Sequence, residues 1–217
     1  IKTNNPPANA LELYSSVHMN NAIVLTNGIL THSDAKTAHG LIRGTERFHI
    51  QGVVDSPELA GQDAGFLLDG KHRNIPIFGN LGEALANCPD ANYLIIGIAT
   101  VGGVLPDNMI AIIQQAVRAG LSIVNGLHDY LNERPEIKDL ATKHQVELID
   151  VRRPKSRKDL HFWSGEILNL PTPIIAVMGM DCAMGKRTTA RLIKQACQAQ
   201  GLKAEMIYTG QTGWLQG

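Results

Sequence analysis

The sequence predicts an α/β fold, a Rossmann-like parallel sheet followed by the beginning of a phosphate-binding-loop (P-loop) α/β domain. Short β-branched runs alternate with segments whose apolar residues recur at helical spacing, which is typical of βαβ units in a parallel sheet. Late in the 217-residue chain, the apolar run 174–177 leads through a glycine and a short loop into Gly185-Lys186. Strand, loop, lysine and helix in this order are typical of a phosphate-binding loop.

The first part of the chain contains six predicted strands and four predicted helices. The strands are expected at residues 22–26, 49–54, 75–78, 93–99, 121–124 and 147–151, and the helices at 35–43, 81–87, 107–119 and 135–143. The first helix would begin at Ser33 or Asp34 as its N-cap. The third helix has an apolar repeat and is followed by Gly120, a suitable C-cap. The repeat consists of Met109, Ile112, Ile113, Ala116 and Val117.

The predicted elements divide the chain into a Rossmann-like, CoA-binding-domain-like unit (residues 1–153), a linker (154–172) and the start of a P-loop domain (173–217). The linker has mixed polarity and contains prolines, and the cationic run that overlaps its start is predicted to be solvated linker. That run comprises Arg152, Arg153, Lys155, Arg157 and Lys158. The P-loop part contains a predicted strand from Ile174, a helix at 186–200 and a strand at 204–208. Two strands and one helix cannot bury a core of their own, so we expect a truncated domain.

Composition narrows the classes of partner. The formal net charge is zero, which does not favour a general nucleic-acid partner. Three cysteines lie far apart without metal-ligand spacing, as expected in a reducing cytoplasm, so no metal site is predicted. No apolar run approaches the roughly 20 residues of a membrane span, and no signal peptide is visible. We therefore expect a cytoplasmic protein with a small-molecule substrate and no membrane partner, forming a homo-oligomer.

The phosphate loop departs from the common pattern in two ways. Five residues separate Gly179 from Gly185 instead of four, and Arg187 stands where a Mg²⁺-binding hydroxyl is expected, with Thr188 one position later. The longer loop resembles that of dethiobiotin synthetase. We expect the loop to bind a phosphate, the alternative being a plain glycine-rich turn. Its predicted binding residues are Gly179, Asp181, Cys182, Gly185, Lys186, Arg187 and Thr188.

Two resemblances extend this prediction. Residues 73–130 resemble the CoA-binding Rossmann domain of succinyl-CoA synthetases. Six motifs that run through nearly the whole chain together resemble the D-glutamate N-acetyltransferase-like family, long described as a domain of unknown function. They are Lys36-Thr37-Ala38-His39-Gly40-Leu41, Val101-Gly102-Gly103-Val104-Leu105-Pro106, Asn125-Gly126-Leu127-His128, Asp150-Val151-Arg152-Arg153-Pro154, Met180-Asp181-Cys182-Ala183-Met184-Gly185-Lys186 and Thr209-Gly210-Gln211-Thr212-Gly213.

The family resemblance implies transfer of an acetyl group from acetyl-CoA to an acidic amino acid. This reaction needs a base for the amine, donors for the developing oxyanion and cations for the carboxylates. His128, directly after a predicted strand, is a candidate base, or else it caps a helix. Asp181 is either a base or a residue that orders its loop. Gly102 and Gly103 offer backbone N–H groups to an oxyanion or phosphate, or form a plain turn.

The expected substrate cations lie on one helix. Lys36, His39 and Arg43 are three and four residues apart, so they share a face that either binds carboxylates or is simply solvated. Cys182 is a weaker candidate, as a nucleophile without a neighbouring histidine. Asp55 ends the second strand and leaves an NAD site open, although the Gly-x-Gly-x-x-Gly fingerprint is absent after the first strand.

Two function classes follow. The first is an acetyl-CoA-dependent N-acetyltransferase. The alternative is a P-loop protein that binds ATP with magnesium, either an ATP-dependent ligase or a nucleotide-sensing module. A Mg²⁺-ATP enzyme needs Ser or Thr directly after the lysine. Arg187 at that position favours the phosphates of CoA, which can be bound without a metal.

Overall fold

The computed structural model describes residues 20–180, 184–208 and 210–216, which form two compact units. The first unit contains the described residues up to Arg152, together with Leu215 and Gln216, and the second runs from Arg153 to Trp214. The strands of the first unit are β1 (Asn20–Leu25), β2 (Phe48–Val54), β3 (Ile77–Phe78), β4 (Tyr93–Ile96), β5 (Ser122–Asn125) and β6 (Leu148–Asp150). Its helices are α1 (Lys36–Arg43), α2 (Ala64–Asp69), α3 (Leu81–Asn87), α4 (Asp107–Arg118) and α5 (Pro135–His144).

The six strands form one parallel sheet in the order β3-β2-β1-β4-β5-β6. This is the strand order of a doubly wound dinucleotide-binding fold, so the predicted Rossmann-like class is confirmed. The order reverses direction between β1 and β4. In such sheets, ligands bind outside the carboxyl ends of the strands, beside this reversal.

The core lies on both faces of the central strands. Residues 22–25 of β1 and 94–96 of β4 are completely buried, as expected for strands covered on both sides. Helix α4 packs on one face through four of the five apolar residues that were predicted to repeat there. These are Met109, Ile113, Ala116 and Val117. A rigid sheet of this kind fixes the loops that follow its strands.

Two details of the helices differ from the prediction. Helix α1 is preceded by a 3-10 turn at Ser33–Ala35, and the side chain of His32 caps that turn by accepting a hydrogen bond from the Asp34 amide. Neither Ser33 nor Asp34 is therefore the cap. Helix α2 was not predicted, because it is short and contains Gly65. Asp63 supports it as N-cap, accepting from the Phe66 amide at 2.7 Å.

The second unit contains helix α6 (Lys186–Ala199), which matches the predicted helix within one residue. The strands predicted from Ile174 and at 204–208 are wrong, since neither segment pairs with a strand in the described part of the chain. Ile174 and Ile207 are 65% and 91% exposed. A β-strand needs a neighbour for its backbone hydrogen bonds, and these segments have none among the described residues.

None of the helices in the described ranges has both the length and the apolar character that crossing a bilayer requires.

Candidate active site

A cavity of about 320 Å³ lies at the carboxyl end of the sheet in the first unit. The loops that follow β4, β5 and β6 contribute to its wall, together with the first residue of α1. The lining residues are Lys36, Ala99, Thr100, Gly102, Gly103, Gly126, Leu127, His128 and Arg152. This edge of the sheet is where doubly wound folds bind ligands. Four of the predicted site residues therefore meet in one cavity.

The loop after β4 turns sharply at its two glycines. Gly102 and Gly103 have φ angles of +70° and +69°, a conformation that glycine adopts without steric cost. The amide of Gly103 donates to the carbonyl of Thr100 at 3.0 Å, and the Thr100 hydroxyl donates to Val104 O at 2.6 Å. Because the Gly103 N–H is used inside the loop, the prediction that both glycines offer an N–H to a ligand is corrected. Gly102 lines the cavity, and its hydrogen bond to a ligand stays a prediction.

Gly103 also positions His128. Its carbonyl accepts hydrogen bonds from the amides of His128 and Asp129, at 2.9 and 3.1 Å. A Cβ atom placed on Gly103 would lie 2.6 Å from Cδ2 of the His128 ring. The ring therefore packs against the bare backbone of the β4 loop. This contact holds the candidate base at the cavity wall.

Asn125 and Asp150 fix the loop that carries His128. The buried amide of Asn125 donates to Asp150 Oδ1 and to the carbonyl of Asp129, both at 2.8 Å. Its own oxygen accepts from the Leu127 amide at 3.0 Å. Asp150 also accepts from the amides of Leu131 and Asn132 and from the Asn132 side chain. Both carboxylate oxygens of Asp150 are thus used to shape the loop.

The carboxylate next to His128 in the chain is paired as well. Arg134 donates to Asp129 through Nε at 3.1 Å and Nη2 at 2.8 Å, and the Leu105 amide adds a third hydrogen bond. The hydrogen bonds from Arg134 hold the pKa of Asp129 below its usual value, against the opposing effect of burial. Asp129 is therefore an ionised structural residue.

Two cationic side chains and no acidic one line the cavity among the described residues. Lys36 is the first residue of α1, and the half-buried Arg152 follows β6 by two positions. Nε of Arg152 donates to the carbonyl of Gly126 at 2.6 Å. In the described ranges, neither Lys36 nor Arg152 forms an ion pair. The cavity therefore has the charge of an anion site, with a histidine in its wall.

The predicted cationic face of α1 is not assembled at this cavity. His39 Nε2 is hydrogen-bonded to the Leu30 carbonyl at 2.6 Å, so its ring is tied to the loop after β1. Nε of Arg43 lies 3.5 Å from Asp69 Oδ2, an ion pair with α2. Of these three residues, Lys36 alone lines the cavity. Spacing along a helix places side chains on one face but does not determine their partners.

Arg152 is the charged residue of the cavity that was not predicted as a site residue. Its place in a cationic run predicts a solvated linker instead. Its position directly after the predicted strand 147–151 was the available signal, because the same reasoning identified His128 after its strand. The carboxyl ends of parallel strands share one edge of the sheet, so both residues reach the same cavity.

Asp55 holds the loop that follows β1. This buried carboxylate accepts through Oδ2 from the Thr26 hydroxyl at 2.6 Å, the Gly28 amide at 3.0 Å and the Leu30 amide at 2.9 Å. In a dinucleotide-binding fold, an acidic residue here would bind a ribose hydroxyl. Here Oδ2 is occupied by the protein's own loop, so the Asp55 carboxylate shapes that loop.

The second unit contains the phosphate loop. Gly185, at φ +82°, is the N-cap of α6, and Lys186 is the first residue of that helix. A Cβ atom on Gly179 would lie 3.1 Å from both Cγ and Cδ of Lys186, so the lysine side chain passes over the first glycine of the loop. Arg187 and Thr188 are exposed. Asp181 and Cys182 lie outside the described residues, and phosphate binding stays a prediction.

Comparison with protein-family models matches both parts of the chain. Residues 57–154 match the domain of unknown function DUF1611_N, a Rossmann-like domain. Residues 161–217 match the C-terminal domain of unknown function DUF1611, a P-loop domain. A crystal structure of a DUF1611 family protein from Anabaena variabilis superimposes with a TM-score of 0.80 at 31% identity, covering 91% of this chain and 55% of that one.

Two curated proteins named D-glutamate N-acetyltransferase are also similar. The protein from Pseudoalteromonas sp. is 33% identical over 125 residues, which is 58% of this chain and 36% of that protein. The protein from Tritonibacter scottomollicae is 32% identical over 130 residues, 60% of this chain and 38% of that protein. The chain thus spans little more than a third of the length of these relatives.

Proposed function

Because the chain belongs to the DUF1611 family, we propose that the protein is an N-acetyltransferase that uses acetyl-CoA and acts on an acidic amino acid such as D-glutamate. The observation that carries this proposal is the cavity of the first unit. His128 and Lys36 both line it, and its lining contains no acidic side chain among the described residues. The names of the two curated relatives support the same reaction.

The cations of the cavity suit the substrate. An amino acid such as glutamate brings two carboxylates, which are attracted to a cationic and partly enclosed site. Lys36 takes one of them in this proposal. His39 and Arg43 have no such role, since their side chains are bound to Leu30 and Asp69.

His128 takes the proton of the substrate amine. An ammonium group is unreactive, and the neutral imidazole of a histidine has a nitrogen that can accept its proton, as a general base must. The amine nitrogen then bonds to the thioester carbonyl carbon, the carbon–sulfur bond breaks, and the sulfur leaves as the CoA thiolate and is protonated. The Gly102 amide stabilises the negative charge that develops on the carbonyl oxygen. Asp181 is the alternative base.

The phosphate loop binds the phosphates of CoA in this proposal. Lys186 supplies a point charge, and the N-terminus of α6 adds its dipole. The position of Lys186 across Gly179 supports a loop that is arranged around this lysine. The same feature also favours the alternative function, ATP binding by a ligase or nucleotide-sensing module, although Arg187 in place of a hydroxyl argues against bound Mg²⁺.

An assay of thiol release from acetyl-CoA tests the reaction. The protein is incubated with acetyl-CoA and either D- or L-glutamate, beside a parallel assay of ATP hydrolysis. We expect thiol release with glutamate and no ATP turnover that depends on the amino acid. Absence of thiol release with both enantiomers, together with ATP hydrolysis stimulated by an amino acid, would establish the ligase interpretation instead.

A further inference from the structure

We propose that Arg152 binds the side-chain carboxylate of the substrate and thereby selects an acidic amino acid over its amide. Arg152 lines the same cavity as His128 and Lys36. This inference rests on the proposed function for the identity of the substrate, but it also applies to any dicarboxylate that enters the cavity.

The guanidinium of Arg152 is held in place by the protein. Nε donates to Gly126 O at 2.6 Å, while the Arg152 carbonyl accepts from the Tyr130 hydroxyl at 3.3 Å. The preceding residue, Val151, donates its amide to Asn125 O at 2.9 Å. Both the main chain and the inner nitrogen are therefore fixed to the end of β5 and to the loop that follows it.

The two terminal nitrogens of Arg152 have no hydrogen-bond partner in the described part of the chain. A guanidinium anchored through Nε presents these nitrogens as a planar pair, whose geometry matches the two oxygens of a carboxylate. An amide has one oxygen and a donating NH₂ group, so it cannot accept both hydrogen bonds. The arrangement therefore distinguishes glutamate from glutamine by chemistry rather than by size.

Lys36 provides a different kind of contact. Its ammonium is a flexible point charge at the start of α1, where no geometric match to two oxygens is imposed. It suits the carboxylate common to all amino acids. Arg152, which is half-buried and fixed, suits the carboxylate that varies between substrates.

Three variants test this assignment. Arg152→Met removes the charge and Arg152→Lys retains it, while Arg153→Met changes the exposed neighbouring arginine as a matched control. Steady-state kinetics are measured with glutamate, glutamine and acetyl-CoA. We expect Arg152→Met to lower kcat/KM for glutamate about 10- to 100-fold, the effect of a lost charge-assisted pair. Arg152→Lys should recover part of this loss. In both Arg152 variants, we expect kcat/KM for glutamine and KM for acetyl-CoA to be unchanged.

Equal losses for glutamate and glutamine would overturn the assignment. A raised KM for acetyl-CoA alone would do so too, since Arg152 would then contact a CoA phosphate. Calorimetric titration with glutarate and butyrate separates this inference from the proposed function. Glutarate should bind the unaltered protein more tightly than butyrate, and Arg152→Met should abolish that preference. This result would support the carboxylate site even if the protein does not transfer acetyl groups. If the protein is an active acetyltransferase but Arg152→Met still prefers glutarate, the carboxylate site is refuted and the proposed function is not.

Discussion

Gly103 connects the loop after β4 to the loop after β5 through its hydrogen bonds to His128 and Asp129. Substitution of Gly103 by alanine tests whether this close contact positions His128. Gly103→Ala would place a Cβ 2.6 Å from the His128 ring and 2.9 Å from its amide nitrogen. We expect a loss of activity of about 10- to 100-fold, because small displacements of a catalytic group carry costs of this size. Steady-state kinetics of thiol release measure the loss.

Gly120→Ala is the matched control for this substitution. Gly120 has a φ of +89° and no atom within 4 Å of its built Cβ, so alanine there is strained without a clash. Both variants should lose about 1–2 kcal/mol of stability from the left-handed backbone. If Gly120→Ala lowers activity as much as Gly103→Ala, backbone strain rather than the contact with His128 explains the loss.

The Asp129–Arg134 pair supplies a prediction about pH. Since the folded-state pKa of Asp129 is lowered, its contribution to stability is present above the unfolded pKa of about 3.9 and is lost as the pH falls through the folded value. We expect Arg134→Gln to reduce the free energy of unfolding by about 1–2 kcal/mol at pH 7. The difference should shrink below about pH 4.

Urea unfolding between pH 7 and pH 3 measures this difference. Arg118→Gln serves as the control, because Arg118 is exposed at the end of α4 and forms no ion pair among the described residues. A destabilisation by Arg134→Gln that stays constant across the pH range would contradict an origin in the ionised carboxylate.

At the scale of elements, helix α6 and its loop carry the prediction for phosphate binding. Lys186→Ala removes a charge-assisted contact, so we expect the affinity for CoA to fall about 10- to 100-fold. Titration calorimetry with CoA and with ATP measures the affinities. Lys203→Ala removes an exposed cation outside the loop and should change neither. Unchanged affinity in Lys186→Ala would identify the loop as a plain turn.

The sequence predicted the elements whose signal is local. The central strands and α4 were found because completely buried runs and a helical apolar repeat are visible in the residues themselves. Helix α2, which is short and contains Gly65, is in addition supported by Asp63, whose carboxylate also accepts from the amides of Arg73 and Ile75. Arg73 and Ile75 follow α2 in the chain, so the residues of the helix itself do not reveal these hydrogen bonds.

The lining of the cavity was also predicted in part. His128 and Gly102 could be placed at the cavity because they follow strands at the carboxyl edge of the sheet, whereas Lys36 was predicted from its spacing on a helix. His39 and Arg43 could not be excluded, since their partners Leu30 and Asp69 become neighbours only in the fold. The role of Arg152 likewise required its contact with Gly126 to be seen.

At the scale of the whole molecule, the two units differ in how much they bury. Helix α4 has 12 residues and buries four of them, whereas α6 has 14 residues and buries none. An isolated helix of 12 to 14 residues is only marginally stable in water, and most of the stability of a helix in a protein comes from tertiary packing. Helix α4 has such packing in its buried residues, and α6 has none of its residues buried. Because α4 and α6 are similar in length, a difference in their stability reports the difference in their burial.

Hydrogen exchange of this 217-residue chain, followed by mass spectrometry, tests the difference. Amides of β1, β4 and α4 should exchange only through global opening of the first unit, because they belong to its buried core. Amides of α6 should exchange through local opening and therefore orders of magnitude faster. Gly120→Ala should accelerate exchange in α4 by destabilising the first unit, and it should leave α6 unchanged. Equal protection of α4 and α6 would mean that α6 is packed in solution, and its apolar side chains would then need a covering surface.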